Sequence, residues 1–266
     1  MTKQLFQILL IFTLIISCSK DKLEDVHLTN ETISSHLVND NYKLYIFSPP
    51  DYSPEKTYPV IYLLDGDWHS DRVAKEINQL WKDKTIPECI LVGIGNSAQR
   101  MRDYTYPADK YNAGSGHADK FYAFMRDELI PYIDNKYSTD TTRRIIAGHS
   151  LGGFFALYSM FQYENEPLLF SGIVAASPSI WWENAYLLKL EKQLSENRND
   201  LPISLFLSAG SDEGVTNMLD VEMNQRLVSR GYQHFRSKYI NFKNKGHEGA
   251  SIPGFIDGIK FTLNNQ

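Results

Sequence analysis

Only two of the 266 residues are cysteines, Cys18 and Cys89. So few exclude a small scaffold stapled by disulfides. Basic residues are not in excess: 27 Lys and Arg against 32 Asp and Glu leave a net charge of −5. That balance argues against a nucleic-acid grip, which needs a basic footprint. After residue 25 there is no internal repeat, low-complexity tract or Pro/Gly/Ser-rich linker, and no apolar run of membrane-spanning length. No Cys/His cluster, Walker loop or paired-carboxylate spacing points to a metal, a nucleotide or a glycosidase site, so neither cofactor nor metal is expected. What remains is 42% hydrophobic and 13% aromatic, an ordinary globular composition with ample material for a large core.

The first segment decides the role of one cysteine. Lys3 precedes an apolar run from Leu5 to Ile16, broken only by Gln7 and Thr13 and too short to span a membrane comfortably. The run ends in Ile15-Ile16-Ser17-Cys18, which resembles the lipobox of bacterial lipoproteins. The expectation is a lipoprotein signal peptide at 1–17, lipid on Cys18, a polar tether at 18–25 and one domain at 26–266. Such an anchor, with several acyl chains, holds a protein to a bacterial membrane in the cell envelope, periplasmic or surface-exposed. A plain secretory leader or a buried N-terminal helix is the alternative. Cys89 is then a small core residue, and no disulfide is expected in the mature chain.

Residues 32–48 carry strand-type alternation and stop at Pro49-Pro50. Short, nearly all-apolar runs follow at 59–64, 89–94, 144–147, 170–176 and 203–209, as expected of strands buried on both faces. Between them, Phe121, Met125, Leu129 and Ile133 recur every four residues, with a kink expected at Pro131. Further helical stripes are Val215, Met218, Leu219, Met223 and Leu227, and Ile252, Phe255, Ile256, Ile259 and Leu263. Strands alternating with helices predict an α/β fold: a mostly parallel sheet with helices on both faces, opened by an antiparallel pair at the N-terminal edge.

The run 144–147 leads straight into Gly148-His149-Ser150-Leu151-Gly152-Gly153 and an apolar helix. Gly-x-Ser-x-Gly at a strand-to-helix turn marks the nucleophile elbow of the α/β-hydrolase fold. A strained turn lifts the serine above the sheet at a helix N-terminus, where backbone N–H groups favour an oxyanion. Ser150 needs a base and the base an orienting acid, in the chain order Ser, acid, His. His247, in Lys245-Gly246-His247-Glu248-Gly249 before the final helix, alone follows both the elbow and an acidic turn in a glycine-flanked loop. His234 suits surface or packing, and adjacency turns His149 away. The acidic turn is Gly210-Ser211-Asp212-Glu213-Gly214; standing three residues past the glycine that ends the strand favours Glu213 over Asp212. The oxyanion amides are expected at Leu151 and at Asp67, with Gly66 next.

These residues resemble the putative-esterase family of α/β-hydrolases, which includes siderophore, feruloyl and acetyl-xylan esterases, S-formylglutathione hydrolases and mycolyltransferases. The likeness runs from about Tyr42 and rests on Tyr58–Gly66, Arg102-Asp103-Tyr104, Phe124–Tyr132, Gly148–Gly153 and Ala176–Trp182. The last segment and Arg-Asp-Tyr look most like the branch with catecholate-trilactone siderophore esterases, some of which work with a Ser–His dyad. The resemblance implies Ser150 as nucleophile, His247 as base, and Asp67 and Leu151 as oxyanion donors. It implies a serine carboxylic-ester hydrolase for a small or medium ester, of siderophore type or an acylated-sugar or aryl ester. An acyltransferase with the same triad and a non-catalytic ligand-binding lipoprotein are the alternatives. Trp181 and Trp182 either line an acyl or aromatic pocket or pack under the sheet's end. Arg100 and Arg102 either receive an anionic substrate or tie down a loop, as through Asp103.

Overall fold

In a computed structural model that describes residues 23–264, eight strands form one sheet in the order β1-β2-β4-β3-β5-β6-β7-β8. Strands β1 (Thr29–Ser35) and β2 (Asp40–Phe47) pair antiparallel at the edge, and β2 also runs antiparallel to β4 (Ile90–Gly95). Strands β3 (Tyr58–Leu63), β5 (Thr139–His149), β6 (Gly172–Ala176), β7 (Ser204–Gly210) and β8 (Arg236–Phe242) complete the parallel part. The α/β expectation holds, with one more antiparallel contact than anticipated. Cys18, the leader 1–17 and the tether to residue 22 lie outside the described residues. From Glu24 onward the chain already touches the body, Glu24 pairing with Lys82 and Asp25 meeting Lys75 at 2.9 Å, while Val26 and Leu28 pack on the core. No helix among the described residues is long and apolar enough to cross a membrane.

Two-residue alternation splits the parallel strands between two cores. Val60, Tyr62 and Ile146 face one side; Ile61, Leu63, Ile145 and Ala147 face the other. The first core is covered by α3 (Ala118–Phe124), α4 (Ile130–Lys136), α5 (Leu151–Phe161), α6 (Trp182–Asn197) and α7 (Val215–Ser229); a short α2 (Arg100–Tyr104) adds Tyr104. The second is covered by α1 (Gly66–Lys82) and α8 (Ser251–Leu263). Cys89 is fully buried in it, a free thiol that burial pushes up to about 12.

Two helical expectations are refined. A π-turn at Met125–Leu129 interrupts the helix just ahead of Pro131, separating α3 from α4, and Pro131 sits in the first turn of α4. On α7, Leu219, Met223 and Leu227 repeat every four residues toward the core, whereas Met218, about 100° round the helix, is 70% exposed.

The order of β4, β3 and β5 creates the place for a site. From β3 the chain turns to α1 on one face, and from β5 to α5 on the other. The loops leaving the carboxyl ends of β3 and β5 therefore part, and such a switch point opens a crevice.

Candidate active site

The elbow is built at the end of β5. Ser150 has φ 60 and ψ −118, a conformation strained for a side-chain-bearing residue, and its N–H donates to Ala176 O at 3.0 Å. Gly148 makes the turn possible: a Cβ there would lie 2.2 Å from Gly152 O. The constraint on Gly152 is milder, its nearest neighbours being Asp65 Oδ2 at 3.3 Å and Leu64 Cβ at 3.4 Å. Helix α5 then begins at Leu151, whose N–H has no backbone acceptor among the described residues; the same holds for Asp67 in the first turn of α1. Both expected oxyanion donors are thus unpaired amides at helix N-termini on the two sides of the crevice.

Glu213 and His247 meet directly. Nδ1 of His247 lies 2.7 Å from Oε2 of Glu213, whose side chain is 3% exposed. The other oxygen, Oε1, accepts from Ser177 Oγ at 2.7 Å and from the N–H of Gly210. Asp212 is exposed, and among the described residues its carboxylate accepts only from neighbouring Ser211. Ser150, Glu213 and His247 line one cleft of about 310 Å³ with Ser179, Trp181, Asp212 and Thr216. Ser150 Oγ lies 3.4 Å from Ser179 Oγ and makes no direct hydrogen bond to His247 among the described residues. Catalytic hydrogen bonds of this kind commonly close only around substrate.

A family model described as putative esterase matches residues 34–254. The chain belongs to that family. It is 31% identical over 257 residues to the ferri-bacillibactin esterase BesA of Bacillus subtilis (strain 168), across 87% of this chain and 88% of that protein. With the apo-salmochelin esterase of Escherichia coli O6:H1 it shares 27% identity over 154 residues, 53% of this chain and 47% of that one. A crystal structure of an IroE-like serine hydrolase from Shewanella oneidensis matches with a TM-score of 0.80 at 25% identity, covering 90% of this chain and 80% of that one. The chain is an ester hydrolase of the α/β class.

Around the esterase cleft several residues hold positions that the sequence did not disclose. The rings of His149 and His247 lie 4.5 Å apart, and His149 Nε2 is 3.0 Å from the His247 carbonyl. A carbonyl only accepts, so the ring donates from Nε2 and is neutral; burial, then the proximity of His247, lowers His149 to about 3. His149 therefore ties down the loop that carries His247. The two histidines and Glu248 also bring one ligand atom each within 4.8 Å of one another. Positions 98 residues apart show no metal spacing in the sequence. Trp182 is buried with its indole N–H on Pro107 O at 3.0 Å, whereas Trp181 is 51% exposed in the cleft, so the pair divides between core and wall.

Neither arginine is free for an anion. Arg102 donates to Asp103 at 2.6 Å and to Asp40 at 2.9 Å, clasping α2 to β2. Arg100 grips the fully buried Asp65 through two hydrogen bonds, at 3.1 and 3.0 Å, and donates to the carbonyl of His149 at 3.2 Å. One guanidinium thus joins the loop that presents the Asp67 amide to the strand end that presents Ser150. Removing one partner of a buried pair strands the other charge. Arg100→Met is expected to cost about 3–5 kcal/mol of stability, read by denaturant unfolding. An unchanged midpoint with only a raised KM would instead assign Arg100 to substrate.

Behind Glu213, on α7, Asp220 is fully buried and neither carboxyl oxygen has a hydrogen-bond partner among the described residues. Burial, then the charge of Glu213, pushes its pKa well above the usual carboxylate range. The folded protein keeps this proton at pH values where the unfolded chain, titrating near 3.9, has lost it. Stability therefore falls as pH rises through that window. Asp220→Asn removes this penalty: its melting temperature should exceed that of the parent near pH 8, with the gain vanishing near pH 4. A gain of equal size at both values would contradict a buried, protonated Asp220.

Proposed function

We propose that this esterase acts through an acyl-enzyme on Ser150, with His247 as base and Glu213 as the acid that orients it. The observation that carries the reading is the 2.7 Å Glu213–His247 contact in the cleft that holds the strained Ser150 turn. With Nδ1 committed to Glu213, Nε2 of His247 is the nitrogen left to take the Ser150 proton as Oγ attacks the ester carbonyl. The amides of Asp67 and Leu151 stabilise the tetrahedral oxyanion. The imidazolium returns the proton to the departing alcohol, and water then repeats the sequence on the acyl-enzyme. Relatives named for ferri-bacillibactin and apo-salmochelin support a siderophore-type ester as substrate.

A fluorophosphonate probe is expected to label Ser150, located by peptide mass mapping, and Ser150→Ala to abolish both label and turnover. Glu213→Gln should lower kcat on the order of 10³–10⁴-fold, against less than about threefold for the exposed Asp212→Asn. A larger loss in Asp212→Asn would reverse the choice of acid.

We further propose that Cys18 carries the lipid that holds the enzyme in the bacterial cell envelope; the support is the leader pattern ending at Cys18. Wild type should partition with membranes and take up labelled palmitate, and Cys18→Ser should do neither. Palmitate uptake by the variant would sink the assignment.

A further inference from the structure

The two siderophore esterases compared above differ in a way that bears on this chain: one is named for a ferric substrate and the other for an iron-free one. The charges around the Ser150 cleft distinguish these substrates. In the cleft itself the ionisable side chains besides His247 are both acidic, Asp212 and Glu213. Trp181 is shared with an adjoining hollow of about 440 Å³, whose charged side chains are Asp109, Lys110 and Glu183. Lys110, its one cation, lies over the ring of Tyr111 at 4.5 Å. The arginines of the neighbouring segment are spent, Arg100 on Asp65 and Arg102 on Asp103 and Asp40. Beyond the His247 loop, a groove between α1 and α8 does hold Arg72 and Lys245, but Glu76 and Asp257 balance them, and Arg72 pairs with Glu76 at 2.7 Å. The surroundings of Ser150 are therefore net acidic, on a chain of net charge −5.

Apolar surface is plentiful at the same end of the sheet. Among the large hydrophobic side chains that are exposed, Trp68 follows β3, Met101 and Tyr111 follow β4, Trp181 follows β6 and Met218 follows β7. Of these, Trp181 lines the Ser150 cleft and the adjoining hollow, and Tyr111 lines the hollow with it. Exposed apolar groups gathered at a cleft mark a ligand surface, and flat rings bind aromatic groups with little ordering cost.

A catechol keeps its protons at neutral pH, as phenols titrate near 10. Three catecholates around a ferric ion have lost all six and form a triply anionic complex. Resting on the esterase reading, we infer that the site selects the uncharged, metal-free catecholate ester, laid on Trp181, and disfavours the ferric complex by like-charge repulsion. The repulsion acts chiefly on encounter and binding, so it is read in KM and weakens with salt.

The test compares metal-free enterobactin with its gallium(III) complex, a redox-inert stand-in of the same charge as the ferric one. The expected result is kcat/KM at least about tenfold higher for the metal-free trilactone, mostly through KM, with the ratio shrinking as salt rises from about 20 to about 500 mM. Asp212→Lys and Glu183→Lys should each narrow the ratio, every rate being normalised to the same variant's turnover of p-nitrophenyl acetate. Equal rates, or faster cleavage of the complex, would overturn the inference and leave the siderophore-esterase reading intact. A preference insensitive to both salt and charge reversal would overturn its electrostatic cause. Failure to cleave either trilactone while p-nitrophenyl acetate is turned over would remove the siderophore reading, and the inference with it.

Discussion

The backbone of Ser150 is the constraint on which the rest of the site depends. A residue with a side chain holds φ 60 only where its surroundings leave no other course. Those surroundings are specific. Gly148 lets the carbonyl of Gly152 close in, β6 receives the Ser150 N–H, and Ser179 N donates back to the Ser150 carbonyl at 3.0 Å. The last two contacts come from the end of β6 and the loop just after it, so the strained turn is held by a neighbouring strand as well as by its own glycines.

The same logic extends outward through charge. Asp65 sits in the left-handed region with φ 51, and its N–H donates to the Tyr104 hydroxyl at 3.0 Å. Its carboxylate would be costly in so buried a place without Arg100. That guanidinium also reaches the carbonyl of His149, whose ring in turn steadies the backbone of His247. The Ser150 turn, the Asp65–Asp67 loop and the His247 loop are therefore coupled through one half-buried arginine and one neutral histidine.

Much of this was legible along the chain. The apolar run before Gly148 and the apolar helix after Gly153 made Ser150 readable as an elbow, because strand, turn and helix are contiguous there. Counting three residues from Gly210 singles out Glu213, and it is the Glu213 carboxylate that lies against His247. The fate of Trp181 and Trp182 could not be read: adjacent residues of one type carry no signal of which is anchored to Pro107. Arg100 and Arg102 left two readings open because their partners Asp65 and Asp40 lie 35 and 62 residues away. Ser177 and Asp220 carry no signal along the chain, since a serine and a helical aspartate look ordinary without their neighbours, and adjacency to Ser150 says nothing of the His149 contact to His247.

What is local can be read along the chain: the β5–turn–α5 unit, the order of Ser150, Glu213 and His247, and the alternation of strands and helices that makes the sheet parallel. Local geometry follows from short-range sterics and hydrophobic period, which a linear string records. The contact that seats Glu213 on His247, the tryptophan that reaches the cleft and the pairing of the nearby arginines emerge once the sheet is assembled. Those outcomes depend on which distant charges share a desolvated space, and burial is a property of the assembled sheet rather than of any segment within it.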